Sequence, residues 1–159
     1  MRSYQVFAQM TPERAAQMMA VLVEKSPAVY TQAVAAASAA MNARPKFLMR
    51  QPADKRAHMV RRTLARVRAN DLAEEILATY FLESRKELLT EWLDLVGLEH
   101  DEGILENENP PPPPGPQLDE AIKSFLAGDQ IEDRELLLRA FAAQSAIDWP
   151  DLAASFEDS

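Results

Sequence analysis

Five consecutive prolines, Pro110 to Pro114, restrict the fold of this chain more than any other feature of its sequence. Proline has no backbone N–H and clashes with the preceding turn of a helix, so the run cannot lie inside a helix or a central strand. It favours the extended polyproline II conformation, which spans about 3.1 Å per residue. The run therefore predicts a semi-rigid spacer within the chain.

On both sides of this spacer the sequence favours helix. Alanine and leucine dominate over β-branched residues, and only four glycines occur in 159 residues. Unbranched side chains lose little rotamer freedom in a helix. Signals for helix starts and one helix end recur at Thr11-Pro12, Ser26-Pro27, Asp71, Ser84, Gly97 and Trp149-Pro150. We therefore predict an all-α protein, a bundle of about seven or eight short helices, with a helical circular dichroism spectrum.

Composition divides the chain into three predicted segments. Residues 1–98 form a helical bundle, residues 99–116 an acidic and then proline-rich linker, and residues 117–159 a smaller C-terminal helical hairpin part. The last segment is small for an independent core, so we expect it to dock on the first. Residues 71–97 and 117–144 have a similar order of acidic and apolar residues, which either a duplicated hairpin or chance explains.

Charge is distributed unevenly along the chain. The net charge is −8, but residues 44–68 carry nine Lys and Arg against Asp54 alone, whereas residues 69–109 carry two against twelve Asp and Glu. Residues 52–68 have the apolar periodicity of an amphipathic helix whose outer face is cationic. The cations of this helix form the candidate interaction surface: Lys55, Arg56, Arg61, Arg62, Arg66 and Arg68.

The sequence leaves three functions open for this protein. The first is a non-enzymatic protein-interaction module of unknown role, which binds a protein partner or a second copy. The second is nucleic-acid binding through helix 52–68, since clustered cations neutralise phosphates. The third is an enzyme with a pocket at helix ends.

We favour the first function, because a net charge of −8 repels nucleic acid at long range. We also expect the arginines to pair with acidic residues that follow in the chain, such as Glu74, Glu75 or Glu83. Reversing Arg62 and Arg66 to Glu should then lower thermal stability by a small amount.

Few residues in the chain are suited to catalysis or metal binding. There is no cysteine, which excludes disulfides and thiolate chemistry, and no glycine-rich phosphate-binding motif occurs. His100 precedes Asp101 and Glu102, but adjacent residues cannot all face one ion, so we interpret them as a polar loop. His58 lies four residues after Asp54, which predicts a solvated pair on one helix face. We predict no catalytic, metal or cofactor site.

The sequence also favours a cytoplasmic location without a membrane partner. The first ten residues contain one Arg and no apolar run of signal-peptide length. No stretch approaches the roughly 20 apolar residues that span a bilayer. Without cysteine the chain has no disulfides, and their absence favours the cytoplasm over an oxidising compartment. Trp92 and Trp149 are the first candidates for an exposed apolar patch.

Overall fold

The computed structural model describes residues 1–157, and 72% of these residues are helical. Within these residues there are ten α-helices, one 3₁₀ turn and a single two-stranded antiparallel hairpin. The all-α prediction is therefore confirmed. There are more helices than the seven or eight predicted, because the short segments Ser3–Gln9 and Pro45–Met49 are helical as well.

Contacts group the elements into two compact units. The N-terminal unit is Ser3–Ser84, and the C-terminal unit is the chain from Arg85 onward together with Met1–Arg2. The N-terminal unit contains α1 (Ser3–Gln9), α2 (Pro12–Lys25), α3 (Pro27–Ala40), α4 (Pro45–Met49), α5 (Ala53–Leu64), a 3₁₀ turn (Val67–Ala69) and α6 (Asn70–Ser84). The C-terminal unit contains α7 (Lys86–Leu95), β1 (His100–Asp101), β2 (Ile104–Leu105), α8 (Gly115–Leu126), α9 (Ile131–Ala143) and α10 (Pro150–Glu157).

The division by contacts differs from the division by composition. Helix α7 packs against α8 and α9, so it groups with the helices that follow the proline run. Residues 71–97 and 117–144, which resemble each other in the order of acidic and apolar residues, are thus arranged differently. Helices α6 and α7 belong to separate units, whereas α8 and α9 share one. The docking of residues 117–159 on residues 1–98 stays a prediction.

Apolar helix faces form the core of the N-terminal unit. Helix α2 packs against α5 and α3, and α1 packs against α6 and α5. The largest fully buried side chains of this unit include Phe7, Met18, Leu22, Leu48, Leu64, Ile76 and Tyr80. Ala33 and Ala37 of α3 have no exposed surface, so this alanine-rich helix approaches its neighbours closely. Its opposite face is exposed, however, and α3 is buried on one side only.

Helix α5 carries the cationic segment and ends earlier than the sequence pattern predicts. Ala57, Val60 and Leu64 are buried and attach the helix to the core. After Leu64 the chain leaves the helix, and Arg66 has an extended backbone with φ −98° and ψ 145°. Because the helical periodicity stops there, Val67 does not reach the apolar face and is 56% exposed.

Aromatic side chains form the core of the C-terminal unit. The ring centroid of Trp92 lies 5.5 Å from that of Phe125 and 5.9 Å from that of Phe141. The ring of Trp149 lies 5.1 Å from Phe141, at 71° to it. Both tryptophans are almost completely buried. They therefore do not form an exposed apolar patch, contrary to expectation.

Local signals at the end of α7 act as predicted. Gly97 has φ +73°, the Leu98 N–H donates to the Leu93 carbonyl at 3.0 Å, and the Gly97 N–H donates to the Asp94 carbonyl at 3.1 Å. These two bonds define a Schellman motif and satisfy carbonyls that would otherwise lack partners. Strands β1 and β2 follow, joined by Glu102 and Gly103, both with positive φ, as a two-residue hairpin turn requires.

The proline run is attached to the C-terminal unit in extended form. The indole N–H of Trp149 donates to the Pro110 carbonyl at 2.9 Å, and Pro110 is buried. Pro111, Pro112 and Pro114 are exposed, and Pro114 has the polyproline II dihedrals φ −54° and ψ 145°. Residues 106–114 are non-helical, but the linker is shorter than predicted, because α8 begins at Gly115 and includes residues 115 and 116, the last two of the predicted linker.

Candidate interaction surface

Four of the six candidate cations are exposed on the N-terminal unit: Lys55, Arg62, Arg66 and Arg68, which we call the cationic surface. Lys55 and Arg62 lie two turns apart on the outer side of α5. Arg66 and Arg68 lie in the connection from α5 to α6. The buried apolar face of α5 holds this backbone in place, so the cations extend into solvent from a fixed support.

Arg56 forms hydrogen bonds within its own unit. Its Nε donates to the Tyr30 hydroxyl, and its Nη1 donates to the carbonyls of Met49 and Gln51, each at 3.1 Å. The side chain is half-buried and its guanidinium carbon lies 5.9 Å from the centroid of the Tyr30 ring. Arg56 thus joins α5 to α3 and to the end of α4.

Arg61 also contacts its own unit. Its Nη1 donates to the Phe7 carbonyl at 3.3 Å, and the side chain is half-buried. The same carbonyl accepts the Met10 N–H at 3.2 Å, so Arg61 ties α5 to the C-terminal end of α1 through a second bond. Arg56 and Arg61 therefore hold α5 in place, whereas the other four candidate cations face solvent.

The expected pairing of the basic helix with acidic residues is wrong for the part of the chain that the structure describes. None of the six candidate cations forms an ion pair with a carboxylate there. Arg56 and Arg61 donate to neutral oxygens instead. The four cations of the cationic surface are thus exposed without an ion-pair partner among the described residues.

The two units have opposite formal charge. Residues 3–84 contain eleven Lys and Arg against seven Asp and Glu, a net charge of +4. The rest of the chain contains six against eighteen, a net charge of −12. The N-terminal unit thus has a net positive charge although the whole chain is negative.

Neither histidine belongs to a metal site in the described residues, where no group of three or more His, Asp or Glu could hold an ion. His100 pairs through Nε2 with Asp94 Oδ1 at 2.8 Å, and its Nδ1 accepts the Gly103 N–H at 3.1 Å. These bonds attach the hairpin turn to α7. His58 and Asp54 are exposed and form no pair with each other, so that expectation is wrong.

A second cationic feature was not among the candidate residues. Arg44, Lys46 and Arg50 line a depression of about 490 Å³ together with Ala43 and Phe47, which we call the Phe47 depression. Its cations were visible in the sequence as part of the basic segment. The exposure of Phe47 was not visible, because it depends on the short helix α4 burying Leu48 instead.

The fold and surface define a helical protein with an exposed cationic face on one unit. In the described residues no helix has the length and apolar character that crossing a membrane requires. Comparison of the chain with protein-family models, with curated proteins and with solved structures finds no match. The geometry and the charge of the surface are therefore the basis for a functional proposal.

Proposed function

We propose that this protein is a non-enzymatic, cytoplasmic interaction module whose cationic surface binds an acidic segment of a partner protein. The observation that supports the proposal is the exposure of Lys55, Arg62, Arg66 and Arg68 without a carboxylate partner among the described residues. A cation that is already paired must break that pair before it binds a partner. These four cations have no such cost.

The support beneath the surface favours binding as well. Ala57, Val60 and Leu64 fix one side of α5, and Arg56 and Arg61 connect the helix to its neighbours. A fixed backbone reduces the ordering entropy that association must overcome. Exposed ion pairs contribute only about 0.2–1 kcal/mol each, so several cations must act together. The resulting complex should be sensitive to salt.

Nucleic acid is the second candidate, because the same four cations are available to phosphates and their unit carries a net charge of +4. The C-terminal unit carries −12, and a polyanion is repelled by that charge at long range. A short acidic peptide carries fewer charges than a duplex and is repelled less. This difference favours a protein partner.

The test is fluorescence anisotropy with three labelled probes: an oligoglutamate peptide, duplex DNA and single-stranded RNA, at low and at moderate ionic strength. We expect the peptide to bind at low salt and to dissociate as salt is added. The variant Arg62→Glu with Arg66→Glu should bind it at least about tenfold more weakly, since like charges then meet.

The matched control is Lys25→Glu with Lys123→Glu, which makes the same change in net charge at two exposed lysines outside the surface. The control should bind the peptide as the wild type does. If both variants lost the same affinity for the peptide, net charge alone would explain the loss, and the proposal would be contradicted. Tighter binding of DNA or RNA than of peptide, with a steep salt dependence that the Arg62 and Arg66 reversal removes, would favour the second candidate.

A further inference from the structure

The Phe47 depression combines the exposed ring of Phe47 with unpaired cations, and the exposed side chain of Met49 lies two residues further along the same helix. Phe47 is 48% exposed and Met49 is 52% exposed, while Leu48 between them is fully buried and holds α4 against the unit. Arg44, Lys46 and Arg50 are exposed and form no ion pair in the described residues. A ligand for such a depression needs an apolar group that covers the phenyl ring and carboxylates that reach the cations around it.

The backbone around the depression is well defined. Helix α3 ends in a Schellman motif, in which Asn42 has φ +53°, the Ala43 N–H donates to the Ser38 carbonyl at 2.8 Å, and the Asn42 N–H donates to the Ala39 carbonyl at 3.2 Å. No Asp or Glu occurs between Glu24 and Asp54, so the segment itself offers no carboxylate to these cations. The depression is therefore cationic and open to an acidic ligand.

The hairpin of the C-terminal unit has the complementary character. Ile104 is 63% exposed, the largest exposed fraction among the exposed large apolar side chains of the described residues. Asp101 lies directly opposite Ile104 in the register, so both side chains stand on the same, outer face of the hairpin. Exposed carboxylates continue on both sides at Glu99, Glu106 and Glu108.

The hairpin is also held in one conformation. The His100 ring pairs with Asp94 of α7 and accepts the Gly103 N–H, and the positive φ values of Glu102 and Gly103 set the tight turn. A loop that is already ordered loses little entropy on binding. The hairpin thus presents an isoleucine surrounded by carboxylates, opposite in charge to a depression that presents a phenylalanine surrounded by cations.

We propose that the protein self-associates head to tail: the outer face of the 100–105 hairpin of one copy binds the Phe47 depression of a second copy. Ile104 covers Phe47, while Asp101 and Glu106 face Arg44 and Arg50. The contact joins two different surfaces, so each added copy leaves one depression and one hairpin available, and assembly continues to rings or open chains. A contact that consists of one apolar pair and a few opposite charges is weak and salt-sensitive.

Two variants separate the two halves of the contact. The depression variant is Arg44→Gln, Phe47→Ser and Arg50→Gln, and the hairpin variant is Asp101→Asn, Ile104→Ser and Glu106→Gln. All six side chains are exposed, so both variants should keep the helical circular dichroism and thermal midpoint of the wild type. Glu102 is left unchanged because it pairs with Lys86 at 3.5 Å.

Sedimentation velocity over a wide range of protein concentration is the measurement. The wild type should show a concentration-dependent increase in mass at low salt that continues beyond the dimer. Each variant alone should associate at least about tenfold more weakly, because the apolar anchor and two charges of the contact are lost. A mixture should form a one-to-one complex and nothing larger, since only one depression and one hairpin remain intact.

The matched control is Lys55→Gln, Arg62→Gln and Val67→Ser, which removes the same number of cations and one exposed apolar residue from the cationic surface. Val67 lies between Arg66 and Arg68, beside the cationic surface, and is exposed. This control should self-associate as the wild type does, even where it no longer binds the oligoglutamate peptide, so failure of this inference is distinct from failure of the proposed function. A wild type that is monomeric at every concentration, a variant that still associates, or a mixture that stays monomeric would overturn the proposal.

Discussion

Replacing Arg134 by Met removes one guanidinium that three segments of the C-terminal unit share. The side chain is 10% exposed, and its Nη1 forms an ion pair with Glu91 of α7 and donates to the Phe125 carbonyl at 3.0 Å. Its Nε donates to the Asp129 carbonyl in the connection between α8 and α9. The guanidinium carbon also lies 4.8 Å from the centroid of the Phe125 ring.

The expected loss follows from these contacts. The Glu91 side chain is 46% exposed and becomes hydrated when its partner is removed, so the ion pair contributes less than about 1 kcal/mol. The Phe125 carbonyl keeps the Gly128 N–H at 3.3 Å, whereas the Asp129 carbonyl loses a charge-assisted bond. With the ring contact included, the free energy of unfolding should fall by about 2–3 kcal/mol.

Urea titration followed by circular dichroism measures this loss. Glu91→Gln should cost less than about 1 kcal/mol, because it removes the ion pair and leaves the bonds to the backbone. Lys123→Met, at an exposed position of α8, is the control and should have no large effect. If Glu91→Gln were as costly as Arg134→Met, the ion pair would be the main contribution and the reasoning from backbone carbonyls would be wrong.

A double-mutant cycle with Gly128→Ala checks the same packing independently. A methyl group on residue 128 would overlap the Arg134 guanidinium, with 2.6 Å to Nη2 and 2.7 Å to Nε. Since that guanidinium is held by several bonds, Gly128→Ala should destabilise the wild type. In the Arg134→Met background the overlap is relieved, and the substitution should cost less. Additive effects would show that the guanidinium moves aside freely.

Three further outcomes are expected. In urea titrations, Gly97→Ala should lower the free energy of unfolding by about 1 kcal/mol, because Gly97 has a positive φ. Gly115→Ala should be neutral or slightly stabilising, because Gly115 has no strained φ and no atom lies within 4 Å of an added methyl group. Trp149→Phe should remove the bond that fixes the proline run and make residues 106–112 more susceptible to limited proteolysis, and unchanged cleavage would contradict that role. Arg62→Glu with Arg66→Glu should leave the thermal midpoint unchanged or raise it, which is opposite to the expectation from sequence. The reason is that no ion pair of the described residues is lost, while the net charge of +4 on the N-terminal unit is reduced.

Helix boundaries could be predicted where the deciding contacts are local. Thr11 accepts the Arg14 N–H at the start of α2, and Gly97 ends α7 through bonds within six residues. Helix α1 was missed because its first turn depends on a distant residue: the Tyr4 N–H donates to the Asn70 side chain, 66 positions away. The helix-start signal at Ser84 was wrong for the start of α7, since Arg85 is the N-cap residue and the Ser84 hydroxyl donates to the Tyr80 carbonyl.

The positions of the candidate cations could also be predicted only where they depend on local helix periodicity. The apolar stripe of α5 identifies the side that faces solvent, and Lys55 and Arg62 lie there as the periodicity indicates. The partners of the flanking cations were not predictable, because Tyr30 and Phe7 approach Arg56 and Arg61 only after α3 and α1 pack against α5. The order of charges along the chain also suggested internal ion pairs; α6 does pack against α5 and the 3₁₀ turn, but its carboxylates form no ion pair with the six candidate cations in the described residues.

The segregation of aromatic residues between the two units makes their unfolding separately observable. Both tryptophans lie in the C-terminal unit, in contact with Phe125 and Phe141, and all three tyrosines lie in the N-terminal unit. Indole emission excited at the red edge of the absorption band therefore reports the C-terminal unit alone, while far-ultraviolet ellipticity reports helices of both units. Coincident transitions from the two signals would identify one cooperative system, and separated transitions would identify two.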